Sequence, residues 1–412
     1  MLRHPVVRPA LVAGLVCALA LAATPAAAQT VIFRRPPGDT EAELPRRAPL
    51  TFTPSVTIAE EYNDNIFLDN DNRESDFITT ITPGIAVEGA GPTYRLLGAY
   101  SFTAELYAKE TDRSHAFDRH SLLVDALYRP DPRTTLTLSD TFVFDTNTNL
   151  VGTADVATGR DRAWSNLLAG GASWAADPRT TLRGNVSWAT QRYSAEELID
   201  SDVYRISVGA DRALTPRLTG GLSYEVAFFS IEQQEDVVAH TPRVGVTYRF
   251  TPTLTGSLSA GPIFEVPEES DTRVTPAVTA SLRQRTSWGA VGVFYDRVLG
   301  TAGGLGGTTI NQTVGALAEV RTLMRGLTVD FGPRFSSVES SAGEGIDVDS
   351  FTLPLSATYQ ITPWAALVAT YQFFRQRSDS TVVTSRGTAF AADADQNRVW
   401  FGVQLGYPVR FD

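Results

Sequence analysis

The sequence predicts an all-β fold, a single antiparallel up-and-down transmembrane β-barrel of about 18 strands. Three observations support this prediction. Apolar and polar residues alternate in successive stretches from residue 51 to residue 411. Short proline-bearing turns and longer acidic loops separate these stretches in turn. Beyond the extreme N-terminus no run of about 18 apolar residues occurs, so the sequence offers no helical membrane span.

The first 28 residues have the three parts of a secretory signal peptide. Arg3 and Arg8 form a basic region, an apolar core follows over residues 11–22, and a run of small residues ends at Ala28. This order predicts a cleaved signal peptide over residues 1–28 and secretion through the inner membrane, with a membrane anchor as the alternative. Cys17 is the only cysteine and lies in the apolar core, so we expect a mature chain without disulfides.

Residues 29–49 separate the predicted cleavage site from the first alternating stretch. Pro36, Pro37, Pro45 and Pro49 disfavour regular structure there. We therefore predict a flexible periplasmic N-terminal segment, and the alternative is a plug that folds into the lumen. The outer-membrane β-barrel is expected over residues 50–412.

The last stretch shows the alternation most clearly. One face carries Val399, Phe401, Val403, Leu405, Tyr407, Val409 and Phe411, and the other carries Arg398, Gln404 and Arg410. A period of two places these sets on opposite faces of a sheet, although a soluble antiparallel sandwich would alternate as well. The stretches of about 11–14 residues exceed the five or six residues typical of soluble strands and match a tilted crossing of a bilayer.

The connections between stretches fall into two classes. Short turns recur near residues 91–92, 131–133, 177–179, 215–217, 251–253, 286–287, 325–326 and 362–364. Longer polar segments lie near residues 68–75, 109–118, 148–162, 194–201, 232–239, 267–271, 301–308, 340–348 and 378–395. About eight short and nine long connections predict about 18 strands, with both termini on the short-turn side.

The segment at the end of the first stretch resembles a known family. It reads Tyr62, Asn63, Asp64, Asn65, Ile66 and Phe67, followed by Ser75-Asp76-Phe77 and Thr82-Pro83-Gly84. These residues resemble the opening of the β-barrel porin family of bacterial outer-membrane proteins, whose related barrels are associated with exopolysaccharide production and export. The resemblance implies a barrel in the envelope of a Gram-negative bacterium. It gives no firm substrate.

Outer-membrane barrels usually end in an aromatic residue that the barrel-assembly machinery recognises. In this chain Phe411 is penultimate and Asp412 follows it. We predict that Phe411 serves as the assembly signal in spite of this small departure.

A barrel of about 18 strands is wide enough for an aqueous channel. If the apolar positions face lipid, the lumen receives Arg95, Arg183, Arg205, Arg243, Arg249, Arg273, Arg283, Arg321, Arg334, Arg398 and Arg410. One hypothesis is that these arginines form a track that favours anionic solutes or acidic sugars. The alternative is that they pair with lumenal carboxylates such as Glu105 and Glu225 and stiffen the wall.

Charge and composition narrow the expected partners. The net charge is −11, and loss of the signal peptide would make it more negative, which argues against binding to nucleic acid. The expected partners are outer-membrane lipid and lipopolysaccharide, the barrel-assembly machinery and, from the resemblance, polysaccharide export components. No cofactor and no metal is predicted. Residues 63–72 suggest a calcium loop but lack the EF-hand glycine and the terminal Glu.

The main function predicted is that of a porin-like channel for small hydrophilic solutes, or of a partner in polysaccharide export. An enzyme is a weaker alternative, since His115 and His120 lie near Ser114, Asp112, Asp118 and Ser121. A third alternative is a closed structural or adhesive barrel that acts through its loops. The run Gly303-Gly304-Leu305-Gly306-Gly307 suggests a flexible loop that could fold inward and constrict the pore.

Overall fold

The computed structural model describes residues 48–147, 156–158, 160–321, 324–342, 345–378, 382–383, 389–390 and 393–411. The predicted signal peptide with Cys17, nearly all of the N-terminal segment and the terminal Asp412 lie outside these residues. The long segments predicted near 148–162, 340–348 and 378–395 are described only in part.

Eighteen long strands account for most of the described chain. They are β1 Ala48–Asn63, β2 Asp76–Ala90, β3 Tyr94–Tyr107, β4 His115–Asp131, β5 Thr134–Asn147, β6 Arg160–Asp177, β7 Thr180–Tyr193, β8 Ser201–Ala213, β9 Leu218–Ile231, β10 Val237–Arg249, β11 Leu254–Pro267, β12 Arg273–Thr286, β13 Gly289–Thr301, β14 Thr308–Val320, β15 in two parts (Leu327–Phe331 and Arg334–Ser340), β16 Asp347–Thr362, β17 Ala365–Ser378 and β18 in two parts (Ala394–Gly406 and Val409–Phe411). A small ribbon pairs Val382–Val383 with Ala389–Phe390, and Thr111–Arg113 forms a short 3₁₀-helix. Among the described residues, no helix has the length and apolarity needed to cross a membrane.

The sheet closes on itself. Each strand pairs antiparallel with its neighbours in sequence, and β1 also pairs with β18, where Ile58 lies opposite Val403. The strands are joined alternately by nine longer and eight shorter connections. The predicted antiparallel barrel of 18 strands is therefore confirmed, with the first and last described strand ends on the short-turn side.

The two faces of the barrel have the reverse of a soluble protein's polarity. Along β1, Ile58 and Tyr62 point outward and are 51% and 38% exposed, whereas Thr57 and Glu61 point inward and are 4% and 1% exposed. The last strand repeats this alternation of buried and exposed residues. A soluble sandwich would bury its apolar face, so the sandwich alternative is excluded for the described residues.

Exposed aromatic residues form two belts on the outer face. The belt near the short turns contains Tyr94, Tyr128, Trp174, Tyr248, Trp288, Trp364 and Tyr407. The belt near the long loops contains Tyr62, Phe77, Trp188, Tyr204, Phe228 and Phe264. Exposed aliphatic residues such as Val186, Ile206 and Leu222 lie between the belts. A strand of 14 residues tilted by about 40° rises roughly 35 Å, which is enough to span such a zone.

Side chains preceding the turn prolines fix the short turns, as the sequence predicts. The Asp131 carboxylate accepts hydrogen bonds from the amides of Arg133 and Thr134 at 2.7 and 3.1 Å. The Thr215 hydroxyl accepts from the amides of Arg217 and Leu218 in the same way. These bonds satisfy amides that the tight turn leaves outside the sheet.

Candidate solute path through the barrel

The lumen is open to solvent in the half nearest the short turns. Thr137, Asn185 and Thr247 project inward from β5, β7 and β10, and all three are exposed. In the half nearest the long loops, inward-facing polar residues such as Glu61 and Gln376 are almost fully buried. The interior thus changes along the barrel axis from a hydrated wall to a filled mouth.

The structure places the eleven predicted wall arginines at inward-facing strand or turn positions. At least six of them form ion pairs: Arg95 with Asp125 at 3.0 Å, Arg183 with Asp211 at 2.7 Å, Arg205 with Glu225 at 3.1 Å, Arg273 with Glu265 at 3.4 Å, Arg398 with Glu61 at 2.7 Å, and Arg321 with Glu319. Arg283 and Arg334 also interact with other groups. The pairing favours the interpretation that these side chains stiffen the wall.

Two of the arginines differ from the others. Arg249 and Arg410 are exposed near the short-turn opening, and neither side chain forms an ion pair with any residue that the structure describes. Arg243 lies deeper, donates to the Thr279 hydroxyl at 3.4 Å and is half-buried. Arg249 and Arg410 therefore place positive charge without a described carboxylate partner at the short-turn opening.

A buried charge network near the long loops includes Arg119, Asp145 and Glu61, which the sequence analysis did not place in the lumen. Arg119 on β4 binds both Glu105 on β3 and Asp145 on β5, and it is only 6% exposed. Next to Arg119, the Arg398 guanidinium donates to both carboxylate oxygens of Glu61, at 2.7 and 2.9 Å. This network ties together β1, β3, β4, β5 and β18.

The sequence contained a signal for Arg119. The residue shares its parity with Ser121 and Asp125, while His120 and Leu122 lie on the apolar face. The predicted loop over residues 109–118 ends directly before Arg119, so this residue is the first position of the next alternating stretch. The sequence could not show that Glu105 and Asp145 converge on this arginine, because cross-strand register is set by the closed sheet.

The wall splits between β12 and β13 near the long loops. These strands pair only from Val278 opposite Arg297 to Thr286 opposite Gly289. Beyond Arg297, β13 leaves β12 and continues to pair with β14 as far as Thr301 opposite Thr308. The end of this hairpin, residues 298–311, consequently turns into the lumen.

Contacts with distant strands show where the hairpin end lies. Arg205 on β8 donates to the backbone oxygen of Leu299 at 2.7 Å, and the Ile199 amide donates to the Gly304 oxygen at 2.9 Å. The Glu265 carboxylate on β11 accepts from the hydroxyls of Thr308 and Ser341 at 2.5 and 2.7 Å. Polar bonds therefore anchor the hairpin to β8, to the connection that precedes it and to β11.

Apolar side chains fill the mouth around these bonds. Leu299 and Ile310 join a buried cluster with Ile199, Val203, Ala227, Phe229, Ile231, Val237, Ala239, Ile263 and Ala277. Ala302 and Leu305 pack with Val156, Val338 and Val348. Gln376 on β17 holds residue 157 of the β5–β6 connection by its amide and carbonyl at 2.7 and 2.9 Å. Two inward segments therefore meet across the mouth.

The glycine run forms the tip of the inward hairpin, in agreement with the proposal of an inward loop. Gly303, Gly304, Gly306 and Gly307 all have positive φ angles, between 44° and 90°. A side chain would strain this backbone, which explains why glycine occupies these positions.

The motif that carries the family resemblance, residues 62–67, forms hydrogen bonds with the last strand. Asp64 accepts from the backbone and side-chain amides of Asn397 on β18 at 2.7 and 2.8 Å. Asn65 is fully buried, and its backbone oxygen accepts from Gln396 at 2.7 Å. Ile66 packs against Ile78. The motif thus holds the first loop against the last strand, at the place where β1 and β18 close the barrel.

Phe411 lies on the outer face of β18 opposite Leu50 and is 54% exposed. This position near the short turns suits an outward aromatic residue. Its role as an assembly signal stays a prediction.

The structure separates His120 from the serine next to it in the sequence. His120 points outward and its Nδ1 lies 2.9 Å from the Tyr100 hydroxyl, while the adjacent Ser121 points into the lumen. The Ser114 hydroxyl accepts from the Tyr107 amide. His120 and Ser121 therefore lie on opposite faces of β4, whereas His115 lies 3.7 Å from the Asp118 carboxylate.

The long loops use their acids to cap backbone amides. Amides of Asn72 and Asp71 donate to Asp69 and lower the pKa of its carboxyl. The Ser270 hydroxyl and the Glu269 amide lower the pKa of Glu235 in the same manner. Within the part of the chain that the structure describes, no three His, Cys, Asp or Glu residues are grouped to hold a metal ion.

No family model matches the sequence, and no curated protein matches it. Among solved structures, the chain is similar to the outer membrane protein OpdK of Pseudomonas aeruginosa, with 11% identity, a TM-score of 0.46 and coverage of 87% of this chain and 99% of that one. OpdO of the same organism has 14% identity and a TM-score of 0.45, with coverage of 88% of this chain and 98% of that one. OccAB4 of Acinetobacter baumannii has 10% identity and a TM-score of 0.43, with coverage of 88% of this chain and 99% of that one. The assignment of the fold rests on the strand pairing of this chain itself.

Proposed function

We propose that this protein is an outer-membrane channel of a Gram-negative bacterium that passes small hydrophilic solutes through a constricted mouth. The observation that carries the proposal is the reversed polarity of the closed barrel. Large apolar residues cover the outside between two aromatic belts, while polar side chains line a hydrated lumen. The strand number gives room for an aqueous path.

The membrane orientation predicts unequal effects at two adjacent positions of β7. Val186 faces outward and is 55% exposed, and Asn185 faces the lumen and is also exposed. We expect Val186→Arg to lower the free energy of unfolding by up to about 2–4 kcal/mol, the range for arginine at the bilayer midplane. We expect Asn185→Arg to change it little, since its guanidinium stays in water. Urea unfolding in lipid vesicles, followed by tryptophan fluorescence, measures both values. Equal losses would contradict the proposed orientation.

Planar-bilayer recordings of the purified protein test the channel itself. We expect resolved single-channel currents and a reversal potential close to zero in asymmetric salt, because at least six of the wall arginines are already paired with carboxylates. A strong anion preference would instead support the arginine-track hypothesis. A strong cation preference would exclude that hypothesis, and the absence of any current would count against a channel.

The closed barrel is the second candidate, and the packing of the mouth favours it. Three buried apolar clusters join the inward hairpin and the β5–β6 connection to the barrel wall near the long loops. Liposome swelling separates the two candidates. Flux of small sugars supports the channel, and a lack of flux for any small solute supports a barrel that acts through its loops.

A partnership in polysaccharide export rests on the resemblance of residues 62–67 alone. In the structure these residues fasten the seam of the barrel, which is a structural task independent of any cargo. The assembly machinery and lipopolysaccharide remain proposed partners because of the predicted envelope location.

A further inference from the structure

A separate cavity lies at the long-loop rim, above the wall formed by β3 to β6. Its volume is about 350 Å³, and it is lined by Glu105, Arg113, His115, Asp118, Thr146, Arg162 and Ser194. It is distinct from the contacts that fill the mouth, since none of these residues belongs to the three apolar clusters of the mouth.

Both carboxylates of the cavity already have partners. Asp118 binds Arg162 at 3.0 Å and lies 3.7 Å from His115. Glu105 is held by Arg119 and by the Tyr107 hydroxyl, which donates to it at 3.1 Å. These acids are therefore poor acceptors for an additional cationic ligand.

The groups that remain are hydrogen-bond donors. The Arg113 guanidinium lies 4.5 Å from the centre of the Phe67 ring and forms no side-chain hydrogen bond or ion pair with the residues that the structure describes. The Thr146 hydroxyl is buried and has no partner among those residues either. The ring contact places the guanidinium, and its N–H groups without a described partner match the oxygens of a phosphate.

The position of the cavity narrows the ligand further. Arg162 lies on the outward-facing side of β6, two residues closer to the long loops than Trp164, whose ring contacts that of Phe142. If the apolar zone lies in a membrane, the cavity is at the level of the outer headgroups. Its volume exceeds that of a bare anion and suits a sugar ring with its phosphate.

We propose that the rim cavity binds the phosphate of a phosphorylated sugar, with Arg113 as the main anion ligand. Two sources carry this chemistry, namely the phosphorylated glycolipid of the outer leaflet and a soluble sugar phosphate. The site does not depend on conduction through the lumen.

Binding to the full-length protein in detergent tests the proposal. The soluble probes are glucose 6-phosphate and glucose, measured by calorimetry, and the lipid probes are lipid A with and without its phosphates, measured by native mass spectrometry. We expect the phosphorylated member of at least one pair to bind and its unphosphorylated counterpart not to bind. We expect Arg113→Gln to weaken that binding by roughly tenfold to a hundredfold, the range for losing a hydrogen bond to a charged group.

The matched control is Arg217→Gln, which removes an exposed arginine in the short turn between β8 and β9, at the other end of the barrel. It is expected to bind like the wild type. Faster migration of unboiled protein on denaturing gels verifies that each variant is folded, and Thr146→Val gives a second, smaller loss if Arg113→Gln fails to fold. Binding of lipid A alone identifies the headgroup as the source, and binding of glucose 6-phosphate alone identifies a solute. No phosphate-dependent binding, or equal binding by the Arg113 and Arg217 variants, overturns the proposal whatever the conductance measurements give.

Discussion

Shortening the β13–β14 hairpin is expected to raise the single-channel conductance of the protein at least about twofold, because conductance follows the area of the narrowest section. In the variant, an Asn-Gly turn replaces residues 298–311 and joins Arg297 to Gln312. These two residues are cross-strand partners, and a two-residue turn of this sequence suits such a pair. The change removes Leu299, Leu305 and Ile310 from the mouth and keeps the pairing of β12 with β13, which ends at Arg297. It also removes the last pairs of β14 with β15, from Asn311 opposite Val338 to Thr309 opposite Ser340.

The control removes residues 268–271 from the exposed connection between β11 and β12. That loop lies outside the mouth clusters, so its loss should leave the conductance at the wild-type value. Planar-bilayer recordings under identical salt conditions compare the three proteins. An unchanged conductance in the shortened hairpin would show that the hairpin does not limit the current.

Replacing Arg119 with methionine is expected to lower the free energy of unfolding by about 3–5 kcal/mol, the cost of breaking a buried ion pair from one side. Arg119 is the shared partner of Glu105 and Asp145, and all three side chains are at most 7% exposed. Without the guanidinium, two carboxylates would remain close together away from water. Urea unfolding in lipid vesicles measures the loss.

Two further variants isolate the cause. Arg183→Met removes a partner of Asp211 in a pair whose side chains are 49% and 27% exposed, and it should cost only about 0–1 kcal/mol. The triple change Arg119→Met, Glu105→Gln and Asp145→Asn should regain most of the lost stability, since it also neutralises the stranded acids. If the triple variant is as unstable as Arg119→Met alone, packing rather than charge holds this part of the wall.

The hairpin and Arg119 predictions concern two different parts of the barrel wall, which contribute to different properties. The Arg119 network draws charged side chains tightly together on the side of β1 to β5, while the hairpin fills the mouth from the side of β13 and β14. A solute path would have to run between them, from the loop side to the hydrated half around Asn185. Loss of the network should therefore alter stability, and loss of the hairpin should alter conduction.

Sequence reasoning reached most of the architecture because a closed barrel repeats one local rule. Alternation fixes which face of a strand is apolar, and the two classes of connection fix the number of strands and the side of the termini. Both follow from residues close together in the chain. The eleven arginines could be placed on inward positions for the same reason.

The chain by itself determined the number of strands and the polarity of each face, since these properties follow from residues close together in the sequence. Only the tertiary structure decided which charges meet and which segments occupy the mouth. Arg119 finds Glu105 and Asp145 through register between strands, and residues 298–311 turn inward because β13 parts from β12 after Arg297. Such contacts join positions as far apart as Arg205 and Leu299, and local alternation carries no information about distances across a lumen.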